Sequence, residues 1–284
     1  MLIGQFWGTS AAEGIPTPYC RCAVCEEARQ KGGKCQRMRS CFRLSDEIML
    51  DLGTDAVAQS MKFGDITAVE HVLITHTHDD HLNPHMLMEA MWGKKWRKPI
   101  HYYFTEESFE IVNHWRNNSW ILKGMLPRWE EEGIVVFHQL KFGESCRIGD
   151  VTVTPFRGNH RGNVENNSAM YLVELPDGRI LFYGLDSGEW LPETIEALKK
   201  YRVDIFISEA TIGVHNYIHG NHMSLYEVRE LVGRLCEQGT LHEGTQIYLT
   251  HINHGSSHDQ MLEKVEELQF PLPVTVAWDG LKIF

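Results

Sequence analysis

Apolar strand-like segments fall into two blocks along the chain, and this arrangement limits the folds that the chain can adopt. The first block lies within residues 2–75 and the second within residues 134–185, and helix-like segments follow each block. A sheet that is apolar on one face must cover that face with another layer. Two sheets packed face to face, with helices on both outer faces, meet this requirement. We therefore predict an α/β fold, a four-layer αββα sandwich, formed by one domain over residues 1–284.

Five segments have the spacing or the end signals of helices. Pro84 would occupy a first-turn position, where its missing N–H costs no hydrogen bond. Ser224 precedes a run of apolar residues at helical spacing and is a candidate N-cap. The predicted helices are 83–91, 106–115, 192–201, 224–236 and 259–268.

A tryptophan-rich insertion interrupts this pattern near residues 92–129. It holds five of the eight tryptophans, which are Trp92, Trp96, Trp115, Trp120 and Trp129. Two interpretations stay open. The insertion lines a pocket or an oligomer interface, or it buries its aromatic side chains under its own helices.

Charge and hydropathy exclude some classes of partner. The formal net charge of −11 opposes binding along the phosphates of a long nucleic acid, because such binding needs a basic surface. No stretch approaches the roughly 20 apolar residues that cross a bilayer, and residues 1–7 lack the features of a signal peptide. We expect a cytoplasmic protein with a small-molecule substrate and no membrane partner. A homodimer is compatible with the sequence.

Three histidines and two aspartates lie within six residues, His76-Thr77-His78-Asp79-Asp80-His81, directly after the apolar stretch 72–75. Imidazole and carboxylate suit zinc, manganese or iron, and the exit of a strand fixes the backbone while the side chains converge. This cluster predicts half of a dinuclear metal site.

Further candidate ligands follow other predicted strands. His160 lies after the strand that ends at Phe156, Asp186 after the strand 180–185, and His251 after the strand 246–250. Each alone is typical of an ordinary polar residue. Their shared position at strand exits favours a common site.

The seven cysteines do not have the pattern of a disulfide framework. Three of them form a compact Cys-x-Cys-x-x-Cys run, Cys20, Cys22 and Cys25. In a reducing compartment this spacing favours a three-thiolate metal clamp that takes its fourth ligand from elsewhere in the chain.

Together, the His-x-His-x-Asp-His motif and the later His160, Asp186 and His251 resemble the metallo-β-lactamase superfamily, whose fold is the αββα sandwich. The resemblance implies that His76, His78 and His160 bind one divalent metal, that Asp80, His81 and His251 bind the other, and that Asp186 bridges both. Asp79 would not be a ligand. Asp51 would not bind a metal itself but would orient one of the histidines that does.

The start of the chain, including Gly8-Thr9-Ser10 and the cysteine run, resembles the phosphoribosyl cyclic phosphodiesterase (PhnP) family. That resemblance implies a structural zinc held by the three cysteines and His254. It also implies that His222 is the general acid that protonates the leaving oxygen. The expected enzyme is a dinuclear metal-dependent hydrolase in which zinc, manganese or iron holds a bridging hydroxide. Its expected substrate is a small phosphodiester, and a cyclic sugar phosphate is one candidate.

Other activities share these features. An RNA 3′-end nuclease, a lactonase and a thioesterase would use the same fold and ligands. A non-hydrolytic cofactor-biosynthesis protein or a metal-binding scaffold is the alternative outside the hydrolases.

Overall fold

The computed structural model describes residues 1–161 and 168–284 and contains two β-sheets. The first sheet has six strands in chain order, β1 (Leu2–Gly8), β2 (Cys41–Ser45), β3 (Ile48–Leu50), β4 (His71–Leu73), β5 (Ile100–Thr105) and β6 (Val135–Leu140). Strand β2 is antiparallel to both β1 and β3, whereas β3 to β6 are parallel.

The second sheet has seven strands, which are β7 (Cys146–Ile148), β8 (Val151–Arg157), β9 (Ala169–Glu174), β10 (Ile180–Gly184), β11 (Val203–Glu209), β12 (Leu241–Thr250) and β13 (Val274–Val276). Strands β10 to β13 are parallel, and the β7-β8-β9-β10 portion is antiparallel. Strands β8 and β10 are each antiparallel to β9, so they run in the same direction and end at the same edge.

Eight α-helices are present among the described residues. They are α1 (Ala23–Lys31), α2 (Ala56–Phe63), α3 (His85–Gly93), α4 (Glu110–Asn117), α5 (Leu126–Glu131), α6 (Pro192–Leu198), α7 (Leu225–Glu237) and α8 (His258–Leu268). Ser224 is the N-cap of α7, as predicted, and forms a reciprocal capping box with Glu227.

Three buried clusters lie between four layers. One joins the facing sides of the two sheets, including Leu50 and Leu181. A second joins the outer face of the first sheet to helices, including Met86 of α3, and the third does the same for the second sheet, including Val228 of α7. The predicted αββα sandwich is therefore confirmed.

Some predicted boundaries were wrong. Residues 106–109 form a turn, and α4 begins only at Glu110, because the Glu106 N–H still pairs with the Leu140 carbonyl of the neighbouring strand at 3.1 Å. Helices α1, α2 and α5 and strand β7 were not predicted. Their short segments have too few apolar residues at a regular spacing to indicate a period.

The tryptophan-rich insertion fits neither of its two interpretations completely. Trp115 and Trp129 are buried in the cluster under the first sheet, whereas Trp92, Trp96 and Trp120 are exposed. Among the described residues, no helix has both the length and the apolar character needed to cross a membrane.

Candidate active site

Polar side chains follow the carboxyl ends of six strands at one edge of the sandwich. Asp51 follows β3, the histidine-rich motif follows β4, and His160 follows β8. Asp186, Glu209 and His251 occupy the ends of β10, β11 and β12. Because these strands run in the same direction within their sheets, the fold brings together residues that are distant in the chain.

Three histidines form a first group of candidate ligands. His78 Nδ1 lies 2.9 Å from His76 Nε2 and 3.3 Å from His160 Nε2. The three nitrogen atoms are close enough to bind one ion together. This is the trio that the sequence predicted for the first metal.

A second group contains Asp80, His81 and His251. His81 Nε2 lies 3.2 Å from Asp80 Oδ2 and 3.3 Å from His251 Nε2. Asp80 Oδ2 and His251 Nε2 are 3.4 Å apart. All three residues are buried, whereas Asp79 is exposed and lies outside both groups.

Asp186 lies between the two groups. Its Oδ2 atom is 2.7 Å from His81 Nε2 and 3.3 Å from His76 Nε2. Burial opposes ionisation of this carboxyl, but His251 and His81 hold its pKa well below the usual range. A single carboxylate oxygen thus faces ligand atoms of both groups, which is the position that a bridging ligand needs.

The second nitrogen of each buried ring is held by the protein. The contacts are His76 Nδ1 to Thr75 Oγ1 (3.1 Å), His81 Nδ1 to Asp51 Oδ2 (2.7 Å), His160 Nδ1 to the Asn221 carbonyl (3.1 Å) and His251 Nδ1 to Thr211 Oγ1 (2.8 Å). Each ring can donate its Nδ1 proton there, so that the Nε2 lone pair faces the centre of the cluster. Converging lone pairs and carboxylate oxygens suit divalent cations, and outer hydrogen bonds of this kind orient metal-binding histidines. The residues present therefore fit a two-metal site.

Three residues of the site have strained backbones. Asp51, Asp186 and His251 have φ values of 61°, 44° and 55°, and the described residues include one other non-glycine residue with positive φ, Gln269 at the end of α8. Side chains other than glycine rarely adopt this left-handed conformation. Strain of this kind is concentrated at functional sites, where the surrounding structure maintains it.

Glu209 is a central residue of the site that the sequence interpretation missed. Its Oε1 accepts hydrogen bonds from the backbone N–H groups of Ser187 (2.7 Å) and Gly188 (2.9 Å). Its Oε2 accepts from Thr211 Oγ1 (2.6 Å) and from His222 Nδ1 (3.1 Å). The sequence feature that could have indicated Glu209 is its position directly after the predicted apolar strand 203–208.

His222 lies beside the bridging position. Its Nδ1 is 3.1 Å from Glu209 Oε2 and 3.2 Å from Asp186 Oδ1. Burial opposes protonation of the ring, but Glu209 and Asp186 raise the pKa of His222 to about 11. The two neighbouring carboxylates thus favour the protonated ring, which is the form that can donate a proton.

The three cysteines and His254 form a separate cluster. Their ligand atoms lie close enough to hold one ion, and Cys22 Sγ and Cys25 Sγ are each 3.6 Å from His254 Nδ1. Three thiolates and one imidazole form a ligand set typical of structural zinc.

The loop after β12 connects this cysteine cluster to the histidine site. His251 belongs to the second metal group and His254 to the cysteine cluster, and Ile252 lies between them. The backbone of Ile252 pairs with the N-terminal segment, donating to the Thr9 carbonyl at 3.0 Å and accepting from Ala11 N–H at 3.1 Å. The N-terminal loop is thus fixed beside the histidine site.

Comparisons with known proteins agree with this geometry. The family model described as a beta-lactamase superfamily domain matches residues 47–252. The crystal structure of a diphosphatase from the PhnP family has a TM-score of 0.71 at 19% identity, and the match covers 99% of this chain and 96% of that one. Zn²⁺-bound PqqB from Methylobacterium extorquens has a TM-score of 0.76 at 16% identity, with full coverage of both chains (100% each).

One curated protein is similar in sequence as well. It is an octanoyltransferase from Porphyromonas gingivalis (strain ATCC BAA-308 / W83), 22% identical over 284 residues, which cover 97% of this chain and 50% of that protein. The chain thus spans about half the length of that relative.

Proposed function

Since this chain belongs to the metallo-β-lactamase superfamily and resembles its PhnP members, we propose that it is a dinuclear metal-dependent hydrolase of small phosphodiesters. A cyclic sugar phosphodiester is the substrate class that we favour. The observation that carries the proposal is the position of Asp186, whose Oδ2 faces both ligand groups while its Oδ1 lies 3.2 Å from His222 Nδ1.

Each group would hold one metal. His76, His78 and His160 would bind the first, Asp80, His81 and His251 the second, and Asp186 both. Two divalent cations in such a site lower the pKa of water to supply a nucleophile near neutral pH and neutralise phosphate charge. Zinc, manganese and iron all accept these ligands.

The protein itself would supply the proton for the leaving group. Hydrolysis forms a bond between phosphorus and a water oxygen and breaks the bond from phosphorus to a sugar oxygen. Glu209 holds His222 through Nδ1, so the other ring nitrogen, Nε2, would give its proton to the departing oxygen. Glu209 would favour the charged ring and fix its orientation.

We also propose that Cys20, Cys22, Cys25 and His254 bind a structural zinc. Because His254 is three residues after His251, this zinc would fix the loop that supplies a ligand of the second metal. Its contribution would be to the stability of the site rather than to the reaction.

The test is a substrate panel assayed with zinc, manganese or iron. It would contain a cyclic ribose phosphodiester, bis(p-nitrophenyl) phosphate, a lactone, a thioester and a short RNA. We expect turnover of the small phosphodiesters to exceed that of the others. Preferred cleavage of RNA, lactone or thioester would replace the proposal with the corresponding activity, and no hydrolysis by the metal-loaded protein would favour a non-hydrolytic role.

Two variants test the role of His222. His222→Ala should lower kcat by about 100-fold or more, the usual range for loss of a general acid, while metal content is retained. His219→Ala is the matched control, since this exposed histidine is on the same loop with its ring centroid 5.4 Å from that of His222. Equal effects of the two substitutions would refute the assignment.

A further inference from the structure

The hydroxyl group of Thr211 lies between the second group of candidate ligands and the candidate general acid. Its Oγ1 is 2.8 Å from His251 Nδ1 and 2.6 Å from Glu209 Oε2. The same carboxylate oxygen accepts from His222 Nδ1 at 3.1 Å. Thr211, Glu209 and His251 are buried, with 4%, 0% and 1% exposure. One hydroxyl thus links a candidate metal ligand to the candidate proton donor.

This chain of hydrogen bonds has a fixed direction. Glu209 receives donors at both carboxylate oxygens, since Oε1 accepts from Gly188 N–H at 2.9 Å and Oε2 from Met223 N–H at 3.3 Å. The carboxylate therefore acts as an acceptor, and Thr211 donates its single hydroxyl proton to it. Thr211 Oγ1 in turn accepts the Nδ1 proton of His251, which leaves the Nε2 lone pair of that ring for a metal.

The backbone holds Thr211 between the two loops that its side chain connects. Asn253, in the loop after β12, donates to the Thr211 carbonyl at 3.2 Å. Ile212 donates to the Met223 carbonyl, in the loop before α7, at 3.0 Å. The position of the hydroxyl therefore does not depend on its own two contacts alone.

Asp186 offers a second route between the two rings, which the geometry does not favour. Its Oδ1 lies 3.2 Å from both His222 Nδ1 and His251 Nδ1. Within residues 1–161 and 168–284, however, this oxygen has no partner that meets the geometry of a hydrogen bond, whereas both contacts of Thr211 do. Hydrogen bonds therefore run from His251 to Glu209 through the hydroxyl.

We propose that the Thr211 hydroxyl is a positioning group that couples the second metal of the site to proton donation by His222. The proposal rests on the function proposed above, in which His251 binds that metal and His222 is the general acid. With Nε2 of His251 bound to a divalent ion, its Nδ1 proton would be a stronger donor to Thr211. Successive hydrogen bonds polarise one another, so Thr211 would bind Glu209 more strongly, and Glu209 would hold the His222 ring less tightly. His222 would then release its Nε2 proton to the leaving oxygen more readily.

Two substitutions separate the hydroxyl from the shape of the side chain, and chelator competition measures their effect on the second metal. Thr211→Val leaves the His251 Nδ1 proton without this acceptor, so we expect zinc or manganese affinity to fall about 10–100-fold. Thr211→Ser keeps the hydroxyl and should restore the affinity. Thr245→Val is the matched control, because this buried hydroxyl donates to the Val203 carbonyl at 2.7 Å within the second sheet. Equal losses in Thr211→Val and Thr245→Val would overturn the proposal.

Turnover of two substrates at saturating metal tests the link to His222. A ribose phosphodiester needs a proton on its leaving oxygen, whereas p-nitrophenolate departs from bis(p-nitrophenyl) phosphate without one. We expect Thr211→Val to lower kcat about tenfold more for the ribose substrate than for the p-nitrophenyl substrate. This difference should disappear in the His222→Ala background, because Thr211 acts through that ring. An equal difference in both backgrounds would overturn the proposal.

A metal-affinity cycle with Glu209→Gln separates failure of this inference from failure of the proposed function. If Thr211 carries the influence of Glu209 to His251, Glu209→Gln should weaken binding of the second metal in the wild-type protein and have no further effect in Thr211→Val. Additive losses would overturn the coupling, whatever the protein hydrolyses. Non-additive losses in a protein that hydrolyses no phosphodiester would support the coupling and refute only the proposed function.

Discussion

Arg37 and His258 make a buried contact that should render the stability of the protein sensitive to acid. Arg37 is 3% exposed, and its Nη2 donates to His258 Nδ1 at 2.9 Å. A guanidinium only donates, so Nδ1 must be unprotonated and the imidazole neutral. Burial, Arg37 and Lys34 lower the pKa of His258 to about 4, and Asp259 offsets this only in part.

The direction of the effect follows from the two pKa values. In the unfolded chain the histidine pKa is about 6.5, so below that pH the unfolded state gains a proton that the folded state does not. The free energy of unfolding should therefore fall as the pH drops from about 6.5 to about 4 and change no further below. A difference of about 2.5 between the folded and unfolded pKa values corresponds to about 3 kcal/mol of unfolding free energy. Because solvent screens part of this interaction, we expect a loss of about 2 kcal/mol.

Urea unfolding of the wild-type protein and His258→Asn at pH 7.5 and pH 4.5 measures this quantity. Asparagine can accept the Arg37 hydrogen bond through Oδ1 but does not titrate. The wild-type protein should lose about 2 kcal/mol more than the variant between these pH values. Asp279, whose pKa burial raises to about 6, titrates in the opposite direction, but it is present in both proteins and cancels, as do the metal ligands. Equal losses in the two proteins would refute the reasoning.

Three further predictions test other parts of the molecule. Glu209→Gln places an amide N–H₂ where the carboxylate accepts hydrogen bonds from several donors. We expect the free energy of unfolding in urea to fall by about 1–3 kcal/mol and kcat to fall at least tenfold. An unchanged kcat would exclude a role for Glu209 in holding His222. Cys22→Ser should lower the zinc content by one ion per chain by elemental analysis while metals in the histidine site remain, and an unchanged content would exclude the structural zinc. Trp129→Ala should lower the free energy of unfolding by about 3–5 kcal/mol, measured by urea unfolding, because this side chain is buried. Trp120→Ala, at a position 99% exposed, should change it by less than about 0.5 kcal/mol. Similar losses in the two variants would contradict the assigned packing.

The sequence was most informative where side chains suited to metal binding directly follow an apolar strand. The motif from His76 to His81 combines six adjacent residues with the exit of a strand, so its residues could be identified as candidate ligands from the local sequence. His160, Asp186 and His251 could be predicted for the same reason, because each follows an apolar strand. The structure brings all of them together.

Glu209 illustrates what could not be predicted. A lone carboxylate after an apolar strand has the same sequence appearance whether it faces solvent or receives buried hydrogen bonds. Its role depends on Thr211 and His222, whose positions are set by tertiary packing. The sequence also could not show which tryptophans of the insertion are buried and which are exposed. Their spacing has no period that would assign them to one face of an element.

The pairing of Phe6 and Thr9 with residues more than 240 positions later in the sequence has a consequence for how the protein folds during synthesis. Phe6 donates to the Leu281 carbonyl at 2.9 Å and accepts from Gly280 N–H at 2.7 Å, and Thr9 accepts from Ile252 at 3.0 Å. Strand β1 is synthesised long before these partners and so remains without them during synthesis of the residues between. Contacts with such large sequence separation form slowly, and incomplete chains expose unpaired strand edges that promote aggregation. Nascent chains should therefore need protection until residues 280 and 281 have left the exit tunnel.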